Sequence, residues 1–414
     1  MTRRSGGFIG QDGLDAPDPP TGISAADGLS AATISFTAPT DVGTSAITGF
    51  VAVANEGSGG TGTSSPVDVG SLVNGTSYTF RAYAVNAYGT SAASDVSGSA
   101  TSRAAARILI SGGKSTSGYV NMEYVAESTE GTWADFGDSS DHRYENTAGN
   151  LSSATRGVFW GGADSSGLVN VIDYVTMASL GAAADFGNTG SSPSFSAGHS
   201  NGTIGIVIAG QNAGGTMVNS SQVITIASTG NASTWTAGDP AAGTDTYGTT
   251  SGTIAHHSGF GSTTRMCVAG GFRSSAGINI IEYFTMSTAA AATDFGDLTR
   301  TNLRAGGASN NTRGIIAGGE LRTASSDAAK QNIDFVTIAT TGDAADFGDL
   351  TGNVIMCMGW SGAILGGVTG GTPGGASTTY INFTTQGDGT DWADTHVGRD
   401  QGGASVSTNH GGIA

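Results

Sequence analysis

Charged side chains are scarce in this sequence, and basic ones are the scarcest. Asp, Glu, Lys and Arg make up 12% of the 414 residues, and 33 acidic residues against 16 Lys and Arg give a net charge of −17. Lysine occurs only at Lys114 and Lys330. Binding to nucleic acid or to an anionic membrane surface requires clustered basic residues, so neither partner is expected.

Cysteines and long apolar runs are also few. Cys267 and Cys357 each lie in an apolar, strand-like run, which predicts buried free thiols and no disulfide. No apolar run approaches the roughly 20 residues that span a bilayer, and the first residues, MTRRSGGFIG, lack the apolar core of a secretory signal. Membrane insertion and export by the usual signal are therefore not expected.

Glycine, by contrast, is abundant, with 69 residues. The apolar residues recur in short blocks such as VNVIDYVTM and INIIEYFTM, which are rich in β-branched and aromatic side chains. Such blocks favour strands, and the small polar residues between them favour turns. The sequence predicts an all-β protein and argues against disorder.

Residues 1–15 precede any strand pattern and are interpreted as an arm. They carry Arg3 and Arg4, followed by Phe8 and Ile9 within GGFIG. The arm is either a frayed terminus or a peptide that becomes ordered when it docks on a larger assembly. In the docking interpretation Arg3, Arg4, Phe8 and Ile9 make the contact.

Residues 16–103 contain seven short strand patterns with turn signals about ten residues apart, as in a β-sandwich. The stretches DPPTGISA, AATISFTAPT and VGSLVNGTSYTFRAYAVNAYG resemble a fibronectin type III domain. Phe36 stands where that family usually has tryptophan. Leu72 and Tyr78 fit its tyrosine corner, in which the phenol bonds back to the chain. The resemblance implies a fibronectin type III-like sandwich.

Residues 104–414 form a repeat of about 50 residues, the period of propeller blades. Each copy has a small-residue strand, an apolar strand ending in a glycine pair, a second strand such as NIIEYFTMS and a turn block such as ATDFGDLT. The first glycine of each pair falls at positions 112, 161, 210, 270, 318 and 366. Small residues suit crowded inner strands. Six copies predict a six-bladed β-propeller.

The first copy begins directly at Arg107 and has no small-residue strand of its own. The stretch GGASVST at 402–408 resembles the missing strand. We therefore expect the C-terminal strand to complete the first blade and to close the ring, which removes two open sheet edges.

The glycine pairs and the period look like kelch repeats, although only part of the kelch Tyr and Trp pattern is present. The repeat sequences, such as RGIIAGG followed by IDFVTIATTG and DAADFGDLT, resemble kelch-like arrays in structural proteins of marine tailed phages, notably cyanophages. That resemblance implies a non-enzymatic virion protein without a cofactor: a fibre (for example a tail fibre), spike or decoration. Its partners would be head, neck or tail proteins, other copies of the chain in the particle, and a host-surface glycan.

Two other functions stay open: a glycan-degrading phage depolymerase and a secreted bacterial adhesin, the second disfavoured by the missing signal. Glycan hydrolysis usually needs two facing carboxylates, and Glu123, Glu282 and Glu320 are the candidates. Because Glu123 and Glu282 share their repeat position with Asp173 and Asp334, a structural role is favoured.

The tripeptide Asp-Phe-Gly begins at Asp135, Asp185, Asp294 and Asp346. A kinase uses this motif once, together with a glycine-rich phosphate loop and a strand lysine, and neither accompanies it here. Recurrence once per copy favours a turn in which Asp accepts N–H groups and Phe packs between blades.

Metal ligands are not expected. Acidic pairs such as Asp294 with Asp297 lack the alternating spacing of a calcium loop. His256 and His257 lack a Cys or His partner at zinc spacing, and we expect them in a surface or turn role.

The third copy departs from the repeat between residues 231 and 252, where Trp235 and Tyr247 occur. Exposed aromatic side chains stack on sugars and anchor partners, so Trp235 and Tyr247 are the candidate ligand-binding residues. The alternative is that Trp235 takes the core place of the Asp-Phe-Gly phenylalanine.

Overall fold

The protein was analysed as a computed structural model, which describes residues 14–114, 119–129, 131–145, 149–190, 194–212, 217–235, 254–273, 276–289, 292–323, 326–373 and 375–413. Every helix or strand within these ranges is a β-strand, which confirms the all-β prediction. No helix there could cross a membrane. The chain divides into two compact units, Met1–Ala105 and Ala106–Ala414.

Nine strands form the N-terminal unit. They are β1 (Thr21–Gly28), β2 (Ala31–Thr37), β3 (Ile47–Ala54), β4 (Gly59–Gly62), β5 (Val67–Gly70), β6 (Ser77–Tyr78), β7 (Phe80–Asn86), β8 (Gly89–Thr90) and β9 (Ala100–Thr101). They pair as β1-β2-β5, β4-β3-β7-β8 and β6-β9.

The core of this unit follows from alternation along the strands, because successive side chains point to opposite faces. Buried and accessible residues alternate along β2 and β7, and their buried faces meet in one apolar cluster with β3 and β5. Phe36 is buried at the position noted above and packs on Phe50, with ring centroids 4.9 Å apart. The backbone N–H of Val73 donates to Tyr78 Oη at 3.0 Å, so the phenol fixes the chain five residues upstream.

The segment after β8 bonds to β7 through every third residue. Ser91, Ser94 and Ser97 donate their N–H groups to carbonyls of β7, and their Oγ atoms accept N–H groups of the same strand at 2.9 Å. A period of three cannot form a regular ladder with a strand of period two. The serine hydroxyls therefore satisfy the β7 N–H groups that a regular neighbouring strand would satisfy.

Strands β10 to β38 form the C-terminal unit. They are β10 (Arg107–Gly112), β11 (Tyr119–Ala126), β12 (Ala134–Arg143), β13 (Arg156–Trp160), β14 (Ala163–Asp164), β15 (Gly167–Leu168), β16 (Val171–Thr176), β17 (Ala184–Asn188), β18 (Ala197–Ser200), β19 (Ile204–Gln211), β20 (Met217–Thr225), β21 (Ser233–Thr234), β22 (Ile254–Ala255), β23 (Ser258–Gly261), β24 (Arg265–Ala269), β25 (Phe272–Arg273), β26 (Ala276–Gly277), β27 (Ile280–Thr285), β28 (Thr293–Asp297), β29 (Gly306–Ser309), β30 (Arg313–Ala317), β31 (Glu320–Thr323), β32 (Ser326–Thr337), β33 (Ala345–Val354), β34 (Met358–Ser361), β35 (Leu365–Thr369), β36 (Thr378–Asn382), β37 (Thr390–Trp392) and β38 (Gly403–Ser407).

Six antiparallel sheets account for most of these strands, and we number them along the chain. They are sheet 1 (β38-β10-β11-β12), sheet 2 (β13-β16-β17), sheet 3 (β18-β19-β20-β21), sheet 4 (β23-β24-β27-β28), sheet 5 (β29-β30-β32-β33, with β31 also paired to β32) and sheet 6 (β34-β35-β36-β37). In sheet 1 the C-terminal strand β38 pairs with β10 from Ile108 opposite Ser407 to Gly112 opposite Gly403.

One glycine pair differs from the sequence prediction. In sheet 6 the turn is made by Gly370 and Gly371, with φ of 70° and 89°, and not by Gly366 and Gly367. The latter two lie inside β35, where a Cβ on Gly366 would fall 2.2 Å from the Phe383 ring. This strand needs glycine for space, whereas the turn needs glycine for its backbone conformation.

The Asp-Phe-Gly segments, which lie in strands β12, β17, β28 and β33, contact the neighbouring sheets. The four phenylalanines are buried and meet an aromatic ring of their own sheet edge to face at 5.6–6.1 Å. In sheet 4 the carbonyl of Phe295 accepts the N–H of Gly342 of sheet 5 at 2.7 Å. Gly296 has φ 145°, and a Cβ there would lie 2.4 Å from the Gly342 carbonyl oxygen. The predicted turn is therefore wrong: the motif is a strand segment with a register shift at its phenylalanine, and this strand contacts the next sheet.

Four arginines at the start of the glycine-pair strands add a second link between sheets. Each guanidinium lies over an aromatic ring of its own sheet, at 4.3–4.8 Å from the centroid, and donates to a backbone carbonyl of the next sheet. The donor and acceptor pairs are Arg107 with Met177, Arg156 with Ile226, Arg265 with Ile338, and Arg313 with Phe383.

Candidate functional site

Six backbone hydrogen bonds connect the sheets into a ring. Five ring residues precede the inner strand of a sheet, and the sixth, Glu145, precedes a segment that meets β13 through a single bridge, Ser152 opposite Gly157. Each N–H donates to the carbonyl of the ring residue of a neighbouring sheet. The donors and acceptors are Glu145 to Gly402 (2.8 Å), Gly402 to Met356 (3.0 Å), Met356 to Arg304 (2.8 Å), Arg304 to His256 (2.8 Å), His256 to Phe195 (3.0 Å) and Phe195 to Glu145 (2.9 Å). The last bond returns to the first residue.

All six ring residues have positive φ, although only one of them is glycine. The φ angles of the other five lie between 54° and 63°. Such a conformation costs a non-glycine residue of the order of 1 kcal/mol and persists only where the surroundings impose it. Strained residues of this kind concentrate at functional sites, so we take the ring as the candidate site.

Three of the ring side chains contact one another, and one of them pairs with a carboxylate outside the ring. The rings of Phe195 and His256 stack with centroids 3.8 Å apart. Arg304 donates through Nε to His256 Nδ1 at 3.3 Å and pairs with Glu320 at 2.9 Å. Burial raises the pKa of Glu145, while nearby Lys114 and Arg304 act in the opposite direction. Glu320, one of the hydrolase candidates, is thus bound by an arginine.

The two adjacent histidines are buried, so the expected surface role is wrong. His256 is one of the six ring residues. Its positive φ of 63° agrees with a turn role, the other role expected for it. Nε2 of His257 lies 3.2 Å from the Ile208 carbonyl, and burial lowers its pKa to about 4. The two imidazole rings line the same small cavity beside the inner strands. The sequence alone does not show which strands meet there.

Two small cavities lie close to the ring. One, of about 20 Å³, is lined by inner strands, and the other, of about 10 Å³, is lined mainly by ring residues; they share His257, Ala305 and Cys357. A volume of roughly 10–15 Å³ suffices for one water. Each of these two cavities therefore has room for about one water molecule and is too small for a sugar.

The residues after β38 turn into the centre of the unit. His410, Gly411 and Gly412 are buried, and the N–H of Gly411 donates to the Ser309 carbonyl at 2.8 Å. His410 Nε2 lies 3.3 Å from Ser200 Oγ, and its Nδ1 accepts the Gly412 N–H at 2.9 Å. This segment bridges inner strands that no sheet pairing connects.

A polar side chain stands at one shared position in the second strand of each sheet. The six residues are Glu123, Asp173, Gln222, Glu282, Asp334 and Thr379. Hydrogen bonds to the preceding sheet are made by Glu123, Asp173, Gln222, Asp334 and Thr379. Asp173 accepts from Ser140 Oγ at 2.7 Å and pairs with Arg143 at 2.6 Å, both fully buried. Asp334 accepts from Thr299 Oγ1 at 2.7 Å. These carboxylates bind groups of the protein itself, as their recurrence predicted.

The ligand candidate Trp235 is half-buried. Its backbone N–H donates to the Ser221 carbonyl at 2.9 Å, and its side chain packs against a cluster that includes Ile206, Met266 and Phe284. This position agrees with the alternative that Trp235 takes the core place of a phenylalanine. Tyr247, and the arm residues Arg3, Arg4, Phe8 and Ile9, lie outside the described residues.

Both cysteines are buried free thiols, as predicted. Burial raises the pKa of Cys267 and of Cys357 to about 12, so neither is a reactive thiolate near neutral pH. Within the described ranges, no group of three or more His, Cys, Asp or Glu is placed to hold a metal ion.

The sequence matches no protein-family model and no curated protein.

Proposed function

We propose that the C-terminal unit is a six-bladed, kelch-like β-propeller and that the N-terminal unit is a fibronectin type III-like sandwich. The observation that carries the first part is the ring of six backbone hydrogen bonds, since a chain of equivalent contacts that returns to its start requires circular order. The pairing of β38 with β10 supports closure of the same circle. The Tyr78 hydrogen bond supports the sandwich.

On this architecture, the protein is a non-enzymatic structural protein of a tailed bacteriophage particle. Residues 1–15 dock it on head, neck or tail proteins, residues 16–103 act as a spacer, and residues 104–414 are displayed as a fibre, spike or decoration that touches a host-surface glycan. The support is the resemblance of the repeats. A closed circle also suits display, because it leaves fewer sheet edges free to pair with other chains.

The candidate carboxylates are bound by other groups of the protein, which disfavours the depolymerase alternative. Glu123 accepts the His396 N–H at 3.1 Å, Asp173 pairs with Arg143, and Glu320 pairs with Arg304. A hydrolytic pair needs one carboxyl free to protonate the leaving group and the other free to act on sugar or water.

The test is a cryo-electron microscopy reconstruction of purified particles of the phage that encodes this chain. We expect a propeller-shaped density attached through the N-terminal arm, with the propeller outermost. Absence from the particle, verified by mass spectrometry of the same preparation, would contradict the proposal. In that case a glycan-degradation assay on the purified chain would separate a released depolymerase from an adhesin.

A further inference from the structure

The contact between sheets 5 and 6 departs from its equivalent between sheets 4 and 5. The segment Leu298–Arg304 aligns with Leu350–Met356, so that Thr299 corresponds to Thr351 and Arg300 to Gly352. The acceptor position on the following sheet changes from Asp334 to Thr379. One contact thus carries an arginine and a carboxylate, and its counterpart carries neither.

Between sheets 4 and 5, the contact holds two charged side chains. Arg300 donates to the Gly318 carbonyl at 3.3 Å. Burial lowers the pKa of Arg300, and the nearby Asp334 carboxylate acts in the opposite direction. Asp334 also accepts the Thr299 N–H at 3.1 Å. An arginine side chain and a carboxylate therefore occupy this contact.

Between sheets 5 and 6, the same space is a pocket of about 240 Å³. It contains Gly352, Gly370 and Thr379, the counterparts of Arg300, Gly318 and Asp334. Thr351 and Thr379 hydrogen-bond each other through their hydroxyls at 2.7 Å. At roughly 30 Å³ per molecule in the liquid, the volume holds several waters, many more than the cavities at the ring.

The pocket has a buried apolar floor and an exposed polar rim. Leu350, Val354 and Val368 are buried in the floor, and Asn353 and Ser377 are exposed at the rim. None of the described residues that line it is charged. Burying an unpaired charge against such a surface is costly, whereas hydroxyl and amide groups can exchange hydrogen bonds with a hydroxylated ligand.

We propose that this pocket binds one neutral sugar residue of a glycan. The apolar floor takes the C–H face of the ring, and the threonine hydroxyls, the Asn353 amide and the Ser377 hydroxyl bond to its hydroxyl groups. The inference deepens the proposed function by naming a ligand class. It concerns the purified chain alone, so its failure would leave the location on the particle untouched.

Saturation-transfer NMR on the full chain tests the proposal with glucose, galactose, mannose and N-acetylglucosamine as probes. Glucuronic acid and glucosamine are the charged counterparts of two of these. We expect saturation transfer to at least one neutral sugar, and binding to the matching charged sugar weaker by about tenfold or more.

The variant G352R/T379D restores the arginine and carboxylate of the neighbouring contact. Gly352 has ordinary φ and open space at its Cβ, so the backbone accepts a side chain there. We expect the double variant to keep its melting temperature and to lose sugar binding. S377Y, which narrows the pocket from the exposed rim, should weaken binding without touching the floor.

The matched control is G131R/T340D, which makes the same two changes away from the pocket, at the half-buried Gly131, with nothing near its Cβ, and at the exposed Thr340. It should bind sugar as the unaltered chain does. The proposal is overturned if no neutral sugar receives saturation, if G352R/T379D binds as well as the control, or if the charged sugars bind equally.

Discussion

A single carboxylate replaces an apolar anchor at the contact between sheets 6 and 1. The repeat position held by Glu127 is taken elsewhere by buried apolar residues, namely Met177, Ile226, Met286, Ile338 and Phe383. Glu127 is also buried, and its two oxygens accept four backbone N–H groups at 2.7–3.0 Å. Three of these donors are Ala363, Ile364 and Leu365 of sheet 6, and the fourth is Ala106.

We predict that Glu127→Gln lowers the free energy of unfolding of the C-terminal unit by about 3 kcal/mol. The amide places an NH₂ group against two N–H donors, so buried donors lose their acceptor. Urea denaturation followed by fluorescence measures the change.

The control for this variant is Glu56→Gln, at an exposed position, which should change stability by less than about 0.5 kcal/mol. If the two variants unfold alike, Glu127 does not hold the contact. The sequence carried a signal for this residue, since Glu127 is the single acidic residue in an otherwise apolar column of the repeat. The four donors come together only in the folded chain.

At the scale of elements, the recurrence of Asp-Phe-Gly predicted a phenylalanine that packs between sheets, but it also predicted a turn, and the motif lies in a strand. The N–H of Asp297, the residue after the motif in sheet 4, donates to Asp343 Oδ1 of sheet 5 at 3.0 Å. Local sequence shows that an acid is present, but the partner of each N–H depends on which segments meet in space.

Gly296→Ala should destabilise the C-terminal unit by about 2 kcal/mol or more. The new Cβ would be strained at φ 145° and would collide with the Gly342 carbonyl oxygen of the next sheet. Differential scanning calorimetry measures the shift. Gly131→Ala, with ordinary φ and open space, is the matched variant; equal melting temperatures for the two would contradict the docking role.

A buried histidine pair, His199 of β18 and His410 of the segment after β38, is expected to make stability depend on pH. His199 and His410 are buried with ring centroids 5.4 Å apart. The Ser262 carbonyl fixes the proton of His199 on Nε2, and Nδ1 of His410 must stay unprotonated to accept the Gly412 N–H. Burial lowers the pKa of His199 to about 4, and burial together with His199 lowers the pKa of His410.

Because both pKa values fall below those of the unfolded chain, the unfolded state takes up protons first as the pH drops. The histidine contribution to stability is therefore complete above about pH 6.5 and is lost progressively toward pH 4. For His199 alone the loss approaches roughly 3 kcal/mol. Melting temperatures measured between pH 7.5 and pH 4 should show it.

His410→Asn should weaken this pH dependence, since the amide oxygen can accept the Gly412 N–H and does not titrate. His142→Asn, at an exposed position, should leave the dependence unchanged. An identical slope of melting temperature against pH in the two variants would rule out His410 as a titrating group.

At the scale of the whole molecule, the periodic residues of the sequence predicted the strands, six copies of the repeat and an all-β protein. It misplaced the glycine pair of sheet 6, because Gly366–Gly367 and Gly370–Gly371 look alike in one dimension. It did not reveal the ring, whose members share a backbone conformation and no side-chain chemistry. Neighbours from other sheets impose the left-handed φ at Phe195 and Met356, so the residue types at these positions do not predict it.

The central claim is that residues 106–414 form one closed ring completed by the C-terminal strand. Calorimetry of the full chain and of a chain ending at Gln401 tests it most directly, because only the shorter chain lacks β38 and the segment behind it. The account predicts that the full chain unfolds the C-terminal unit in one sharp transition, and that the shorter chain melts lower and more broadly. A shorter chain that melts as sharply and at the same temperature would contradict closure.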